Sequence, residues 1–211
     1  AASDVYKRQI YGACFKIAVV MVMFTQAFRY AYEPFIFAKN KSDDNKKAYS
    51  EAMKYFIIFA LFIFLGVMFY IDILKYFVGP AYYPGLRVVP IVMLGELFFG
   101  IYFNLSLWYK LIDQTRWGAY FSTIGCVATV SIILLFGPSY GYMACAWASF
   151  FCNLLMMLLS YFVGQKKFPI EYDLKSAFLY FGVATVLYVA GMALPIQSEW
   201  LRLGYRTILL G

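Results

Sequence analysis

The sequence predicts an all-α fold, a polytopic bundle of transmembrane helices. Three observations carry that prediction. Of the 211 residues, 64% are hydrophobic and only 14% are charged, whereas an average soluble domain is about 45–50% apolar and about 25% charged. The apolar residues recur in runs along the whole chain, each long enough for the ~20 residues that cross a bilayer as a helix. Finally, 20 tyrosines and 22 phenylalanines show no period-two alternation, which argues against a membrane barrel. In lipid every backbone N–H and C=O is bonded within its own segment, so runs of this length are helices.

Charge and Pro/Gly punctuation divide the chain into six spans. The first, 10–37, is closed by the polar stretch KNKSDDNKK, and the second, 53–78, stops at Gly79-Pro80. The third, 88–109, lies between Arg87 and Lys110, and the fourth, 117–137, runs from Trp117 to Gly137-Pro138. The fifth, 141–163, precedes GQKK, and the sixth, 176–194, follows Lys175. A seventh is expected to begin near Trp200 and to be cut off within 200–211. Residues 1–9, AASDVYKRQ, read as foreign, adapter-derived sequence. With no initiator methionine and an end at RTILLG inside an apolar run, the chain is expected to be a piece truncated on both sides. No signal peptide is recognisable.

The +7 net charge reads as topology control, not as affinity for nucleic acid. The loop after the first span holds Lys39, Lys41, Lys46, Lys47 and Lys54; the third loop holds Lys110 and Arg116; the fifth holds Lys166, Lys167 and Lys175. Even-numbered loops carry far fewer, which places the odd loops in the cytoplasm by the positive-inside rule. Trp108 and Trp117 are expected as aromatic anchors at the inner surface, and Tyr82, Tyr83, Tyr140, Tyr142 and Trp200 at the outer one. Gly79-Pro80, Pro84-Gly85 and Gly137-Pro138 are expected to form the outer turns. All four cysteines, Cys14, Cys126, Cys145 and Cys152, lie in apolar runs, and there is no histidine. They read as small buried hydrophobes, with neither metal nor cofactor implied. No P-loop or G-x-G-x-x-G is present.

An ionised side chain at the bilayer centre costs about 2.5–3.5 kcal/mol on insertion scales, so each one inside a span asks for a use and a partner. In AFRYAYEPFIF, Arg29 and Glu33 stand four residues apart. Counted from Lys39 at 1.5 Å per residue, Glu33 lies roughly 9 Å and Arg29 roughly 15 Å deep. Gln26, Arg29, Tyr30 and Glu33 are expected on one polar stripe, and Pro34 frees a carbonyl and bends the helix beside them. Two readings remain open: a wall of a water-accessible cavity where Arg29 meets an anionic group, or a self-neutralising i,i+4 ion pair. Lys16 lies about 80° to 140° around the helix from Gln26, Glu33 and Arg29, where snorkelling explains it and a ligand role is the rival reading. In the third span Glu96 is the only acid, roughly 21 Å along the axis from Lys110. It is a candidate for ion coupling or gating, or else a partner for a distant cation. Gly95 and Gly100 leave room beside it for a helix or a file of water. Asn104, about 80° around the helix from Glu96, is a second candidate for ion coupling or gating, with a helix–helix hydrogen bond as its other reading. Asp72 and Lys75 read as an interfacial pair, and Gly141, Cys145, Ala148 and Cys152 as a small-residue packing stripe.

These features bring a family into view. NLSLWYKLIDQTRWGAY, the Pro-containing outer turn, the G-Y-M-x-x-A-W-A segment from Gly141 to Ala148, and the closing YFVGQKKFPIEYDLK resemble the oligosaccharide flippases and polysaccharide-biosynthesis proteins of the multidrug/oligosaccharidyl-lipid/polysaccharide (MOP) exporter superfamily. The resemblance spans roughly positions 10 to 211. It implies two pseudo-symmetric helix bundles, this chain being most of the second, partnered by an N-terminal half of the same protein. It also implies a bacterial cytoplasmic (inner) membrane location. The implied activity is transfer of undecaprenyl-diphosphate-linked oligosaccharides between leaflets by alternating access, for surface polysaccharides such as lipopolysaccharide. Membrane lipids and H+ or Na+ are implied as further partners. Arg29 best suits the diphosphate, since a guanidinium presents a forked donor set. The alternatives are a multidrug exporter of the same superfamily, favoured by cavity acids such as Glu33 and Glu96, and an integral-membrane glycan polymerase or ligase. The resemblance implies no enzyme, and the segment carries neither a catalytic histidine nor a sizeable outer loop.

Overall fold

The computed structural model describes residues 2–39, 45–193 and 199–210, with side chains for 9–38, 46–193 and 201–210. Lys41, the side chains of Lys39 and Trp200, and those of residues 1–8 lie outside the described parts. Within them the elements are helices α1 (Ala2–Lys39), α2 (Asn45–Phe69), α3 (Ile71–Leu74), α4 (Val88–Leu105), α5 (Leu107–Leu111), α6 (Arg116–Tyr140), α7 (Tyr142–Lys167), α8 (Leu174–Ala193) and α9 (Glu199–Leu210). Two 3₁₀ turns, Lys75–Phe77 and Pro80–Arg87, join α3 to α4. No strand occurs among the described residues. Six segments are long and apolar enough to cross a membrane: Gln9–Ala38, Lys46–Phe69, Pro80–Leu111, Arg116–Tyr140, Tyr142–Lys167 and Leu174–Ala193. The chain is an all-α, multi-pass membrane protein.

Two boundaries differ from the expected ones for local reasons. The second helix ends at Phe69, not near 78, and the chain goes on through α3 and the short 3₁₀ turn Lys75–Phe77, where Asp72 joins an ion cluster. The turn after the fourth span lies at Gly141, whose φ of 57° suits a residue without a Cβ. Gly137 and Pro138 stay inside α6, and the Gly141 N–H closes the helix on the Gly137 carbonyl at 2.9 Å.

α4 is the central helix, packed against α1, α2 and α7; α6 lies on α7, and α8 on α2. Lipid tails are as apolar as leucine, so close packing and interhelical hydrogen bonds hold such a bundle together. Both appear at the α4–α7 crossing. A Cβ at Gly95 would stand 3.3 Å from the Phe150 backbone, and Asn153 Nδ2 of α7 donates to the Gly95 carbonyl at 3.0 Å. At Gly100 a Cβ would overlap the Phe56 ring of α2. That ring cannot retreat, because Phe24 and Phe28 of α1 hold it at centroid distances of 5.6 and 5.0 Å. Gly100→Ala is therefore expected to cost about 1–3 kcal/mol by overpacking, read as a lowered unfolding midpoint. An unchanged midpoint would mean that the seam can open freely.

Trp108, expected as an anchor at the inner surface, turns its ring into the bundle. It is 2% exposed, its indole packed over Gly164 of α7 and 6.0 Å from the Trp117 ring, because the missing Cβ of Gly164 leaves a slot for it. Aromatic side chains do crowd the opposite end, where Tyr76, Phe77 and Tyr140 are exposed, as membrane-interface aromatics are.

At that end α9 is docked by Arg206, 5% exposed. Its Nε donates to the Gly191 carbonyl at 3.0 Å, and its Nη1 donates to the Phe69 carbonyl at 3.1 Å and to Asp72 Oδ2 at 2.8 Å. Phe69 and Gly191 lie in the last turns of α2 and α8, whose carbonyls lack intrahelical partners and favour a cation. Asp72 also meets Lys75 at 3.8 Å and Arg202 at 3.0 Å, so the expected pair with Lys75 is one arm of a larger cluster.

At the lysine-rich end Asp173 caps α8. Its Oδ1 accepts from the Ser176 N–H at 3.1 Å and its Oδ2 from the Ser176 hydroxyl at 2.5 Å. Those bonds, with Lys54 and Lys175 nearby, hold its carboxyl below the usual range. A depressed carboxyl contributes stability above its unfolded pKa of about 3.9 and loses it as pH falls through the folded value. Hydrogen-exchange protection of Ser176 and Ala177 is thus expected to hold steady above about pH 5 and to fade on acidification below about pH 4. Asp173→Ala should lack that protection at every pH, whereas an acid-independent wild type would contradict the cap.

Candidate functional site

The polar residues of α1 meet α4 and α5 in the half of the bundle nearer the lysine-rich end. Arg29 Nε lies 3.2 Å from Glu33 Oε1, and Lys110 Nζ approaches the same oxygen at 2.5 Å. One carboxylate thus serves two cations, leaving a net positive charge within a membrane-spanning segment. All three are half-buried, at 35%, 27% and 25% exposure for Arg29, Glu33 and Lys110. The Arg29 guanidinium lies 4.3 Å over the Phe103 ring, a cation–π contact that holds its plane. Only its Nε is engaged by an acceptor; the two terminal nitrogens make no hydrogen bond among the described residues. The i,i+4 pair anticipated as a self-neutralising alternative therefore exists, but Lys110 over-compensates it.

Beside the cluster is a narrow cleft lined by Thr25, Phe28, Arg29, Glu33, Phe103 and Asn104, with about 10 Å³ for a water-sized group. Thr25 and Asn104 are 2% and 5% exposed, yet Thr25 Oγ1 and Asn104 Oδ1 find no hydrogen-bond partner among the described residues. Leaving a buried polar atom unpaired costs about 1–3 kcal/mol, so both oxygens call for a donor from solvent or a ligand. Asn104 was expected to bond between helices, but its Nδ2 donates to the Gly100 carbonyl of its own helix at 3.0 Å. Asn153 does that interhelical work instead.

The structure does not bring the other candidates here. Tyr30 is 76% exposed and points away from Arg29, since neighbours on a helix stand about 100° apart; Gln26 is half-buried one turn away. Lys16 is exposed, roughly 20 Å along α1 from Arg29. Glu96 is half-buried near Tyr11, with no ion pair among the described residues, at the middle of α4 and roughly 21 Å along the axis from Lys110. Yet Glu96, Phe99, Phe103 and Lys110 recur at intervals of three, four and seven, all half-buried, so they share one open face of α4 and α5.

Compared with known family models, curated proteins and solved structures, the chain matches none.

Sequence reasoning missed Lys110, which it used only to mark a loop. Nothing local signals a contact with Glu33 across 77 positions; the sole hint is that Lys110 lies two turns from Phe103 on one helix face. Thr25 was missed because a threonine in an apolar run is ordinarily satisfied by its own helix, as Thr123, Thr129 and Thr185 are by carbonyls four residues earlier.

Proposed function

We propose that the chain is part of a transporter that moves a lipid-linked oligosaccharide from the inner to the outer leaflet of a bacterial cytoplasmic membrane by alternating access. The observation that carries this reading is the Arg29–Glu33–Lys110 cluster, a surplus cation inside a membrane-spanning segment with donors left over. A diphosphate is the matching group: guanidinium forks pair with phosphate oxygens at about twice the strength of neutral hydrogen bonds. Lys110 keeps Glu33 neutralised whenever Arg29 turns to the cargo, so binding leaves no bare carboxylate in lipid. Thr25 and Asn104 add a hydroxyl and an amide oxygen suited to a sugar hydroxyl or a bridging water. Glu96, apart from the cluster on the same face, takes the ion-coupling role for H+ or Na+. The resemblance to MOP-type flippases supports the same reading, with a second helix bundle completing the cavity.

The test is the sidedness of the cargo in cells lacking the full-length gene, read with a membrane-impermeant probe on oriented vesicles. Lipid-linked oligosaccharide is expected to accumulate on the cytoplasmic leaflet. Unpolymerised units stranded outside would replace this reading with a glycan polymerase or ligase, and undisturbed glycan with raised drug sensitivity would point to a drug exporter.

A further inference from the structure

A second space, on the other side of α4 from the charged cluster, has no place in the transport reading. Between the α2–α8 pair and the α4–α7 pair lies a groove of about 670 Å³, within the roughly 300–1,000 Å³ typical of small-molecule sites. Its walls include Met53, Ile101, Met157, Tyr161, Ala177 and Phe181, and the lining is almost wholly apolar. Phe162 and Phe178, 60% and 77% exposed, leave it open sideways. Water gains no hydrogen-bond partners in such a space, and interiors are close-packed, without voids of this size. In a bilayer the neighbouring solvent is hydrocarbon.

The groove is also polarised. On α8 its lining runs from Leu174 to Phe181, and on α4 from Leu105 back to Phe98, about 10 Å in each case. It thus occupies only the half of the membrane next to the lysine-rich end. One leaflet of hydrocarbon is about 15 Å deep, so an acyl chain of that leaflet matches the groove, whereas a long isoprenoid chain exceeds it. At the mouth Lys54 stands 4.0 Å from Asp173. Asp173 is already held by Ser176, which leaves the ammonium with donors to spare. Residues 45–54 and 164–175, which frame the mouth, carry six lysines against three acids.

We infer that this groove holds an acyl chain of an anionic phospholipid from the cytoplasmic leaflet, with the lipid phosphate at Lys54 and the chain lying along Tyr161, Ala177 and Phe181. The lipid fills the seam between the two helix pairs and is a resident partner, distinct from any cargo at Arg29. The inference stands whether or not the protein is a flippase.

The protein, reconstituted in phosphatidylcholine vesicles, is probed by electron spin resonance with phosphatidylglycerol or phosphatidylcholine spin-labelled low on one chain. Wild type is expected to immobilise phosphatidylglycerol about fivefold in preference to phosphatidylcholine, the effect of one lysine at an anionic surface. Lys54→Gln should bring that ratio near one. Ala177→Trp fills the groove from α8 and Met157→Trp from α7. Either should remove the preferential component and leave the ordinary lipid annulus, and the second serves if the first fails to fold. Equal immobilisation of both lipids by wild type, or a preferential component that survives both tryptophans, overturns the inference. Displacement of the label by an equal amount of polyisoprenyl phosphate, but not by unlabelled phosphatidylglycerol, overturns it in favour of an isoprenoid.

Discussion

Arg29→Ala is expected to lower oligosaccharide transfer by about 10- to 100-fold, the worth of hydrogen bonds to a charged group of about 1.5–3 kcal/mol, while the protein still inserts and folds. The asymmetry of the cluster is the reason. Removing Arg29 leaves Glu33 paired with Lys110 at 2.5 Å, so no unpaired carboxylate is created. Lys110→Met removes the second cation and leaves Arg29 as the only ion-pair partner of Glu33 among the described residues. Transfer should fall there too, because releasing Arg29 to a phosphate would then expose a bare carboxylate in lipid. Arg29→Lys keeps the charge but loses the fork, and should fall between wild type and alanine. Initial rates in reconstituted vesicles, scaled to folded protein, separate the three. Equal activity of Arg29→Ala and wild type would reduce the cluster to a structural ion network.

The largest effect on stability is expected at Arg206. Arg206→Ala removes the donors to the Gly191 and Phe69 carbonyls and to Asp72 and hollows a site that is 5% exposed. Hydrogen bonds from a charged donor are worth about 1.5–3 kcal/mol each. Lys75 and Arg202 still surround Asp72, so the loss falls on the two helix ends and not on the carboxylate. The result should be undocking of α9 from α2 and α8, seen as lost hydrogen-exchange protection across 203–210 together with a lower unfolding midpoint. Arg206→Lys should recover part of it, since one ammonium reaches an acceptor or two but cannot bridge both helix ends. An Arg206→Ala protein with α9 still protected would mean that the apolar face of α9 is sufficient by itself.

The existence of the helices was legible from composition and run length, because a bilayer constrains a chain through bulk hydrophobicity, which any window of sequence exposes. What lay out of reach were the contacts that depend on how helices turn toward one another. Arg29 and Glu33 stand out as charges in a greasy run, and their mutual contact follows from four-residue spacing. Lys110 joins them only because α4 and α5 run beside α1, with Arg29 over Phe103 and with Phe56 of α2 seated between the α1 phenylalanines and the bare Cα of Gly100. Arg206 is similar. From the sequence it was one more charge near the end of the chain, and its role appears only once the last turns of α2 and α8 lie side by side. Trp108 shows the opposite failure, where a sound membrane rule was overridden by a slot at Gly164.

In the proposed transporter Arg29 faces a water-accessible cavity that accepts an anionic lipid-linked cargo. Its most direct test is Arg29→Cys in a protein whose Cys14, Cys126, Cys145 and Cys152 are replaced, labelled in membranes with a membrane-impermeant thiol reagent. Labelling from the aqueous phase is expected, suppressed by lipid-linked oligosaccharide and not by free sugar. A cysteine at position 29 that stays unlabelled from either side, while an outer-surface control such as Tyr140→Cys reacts, would contradict it.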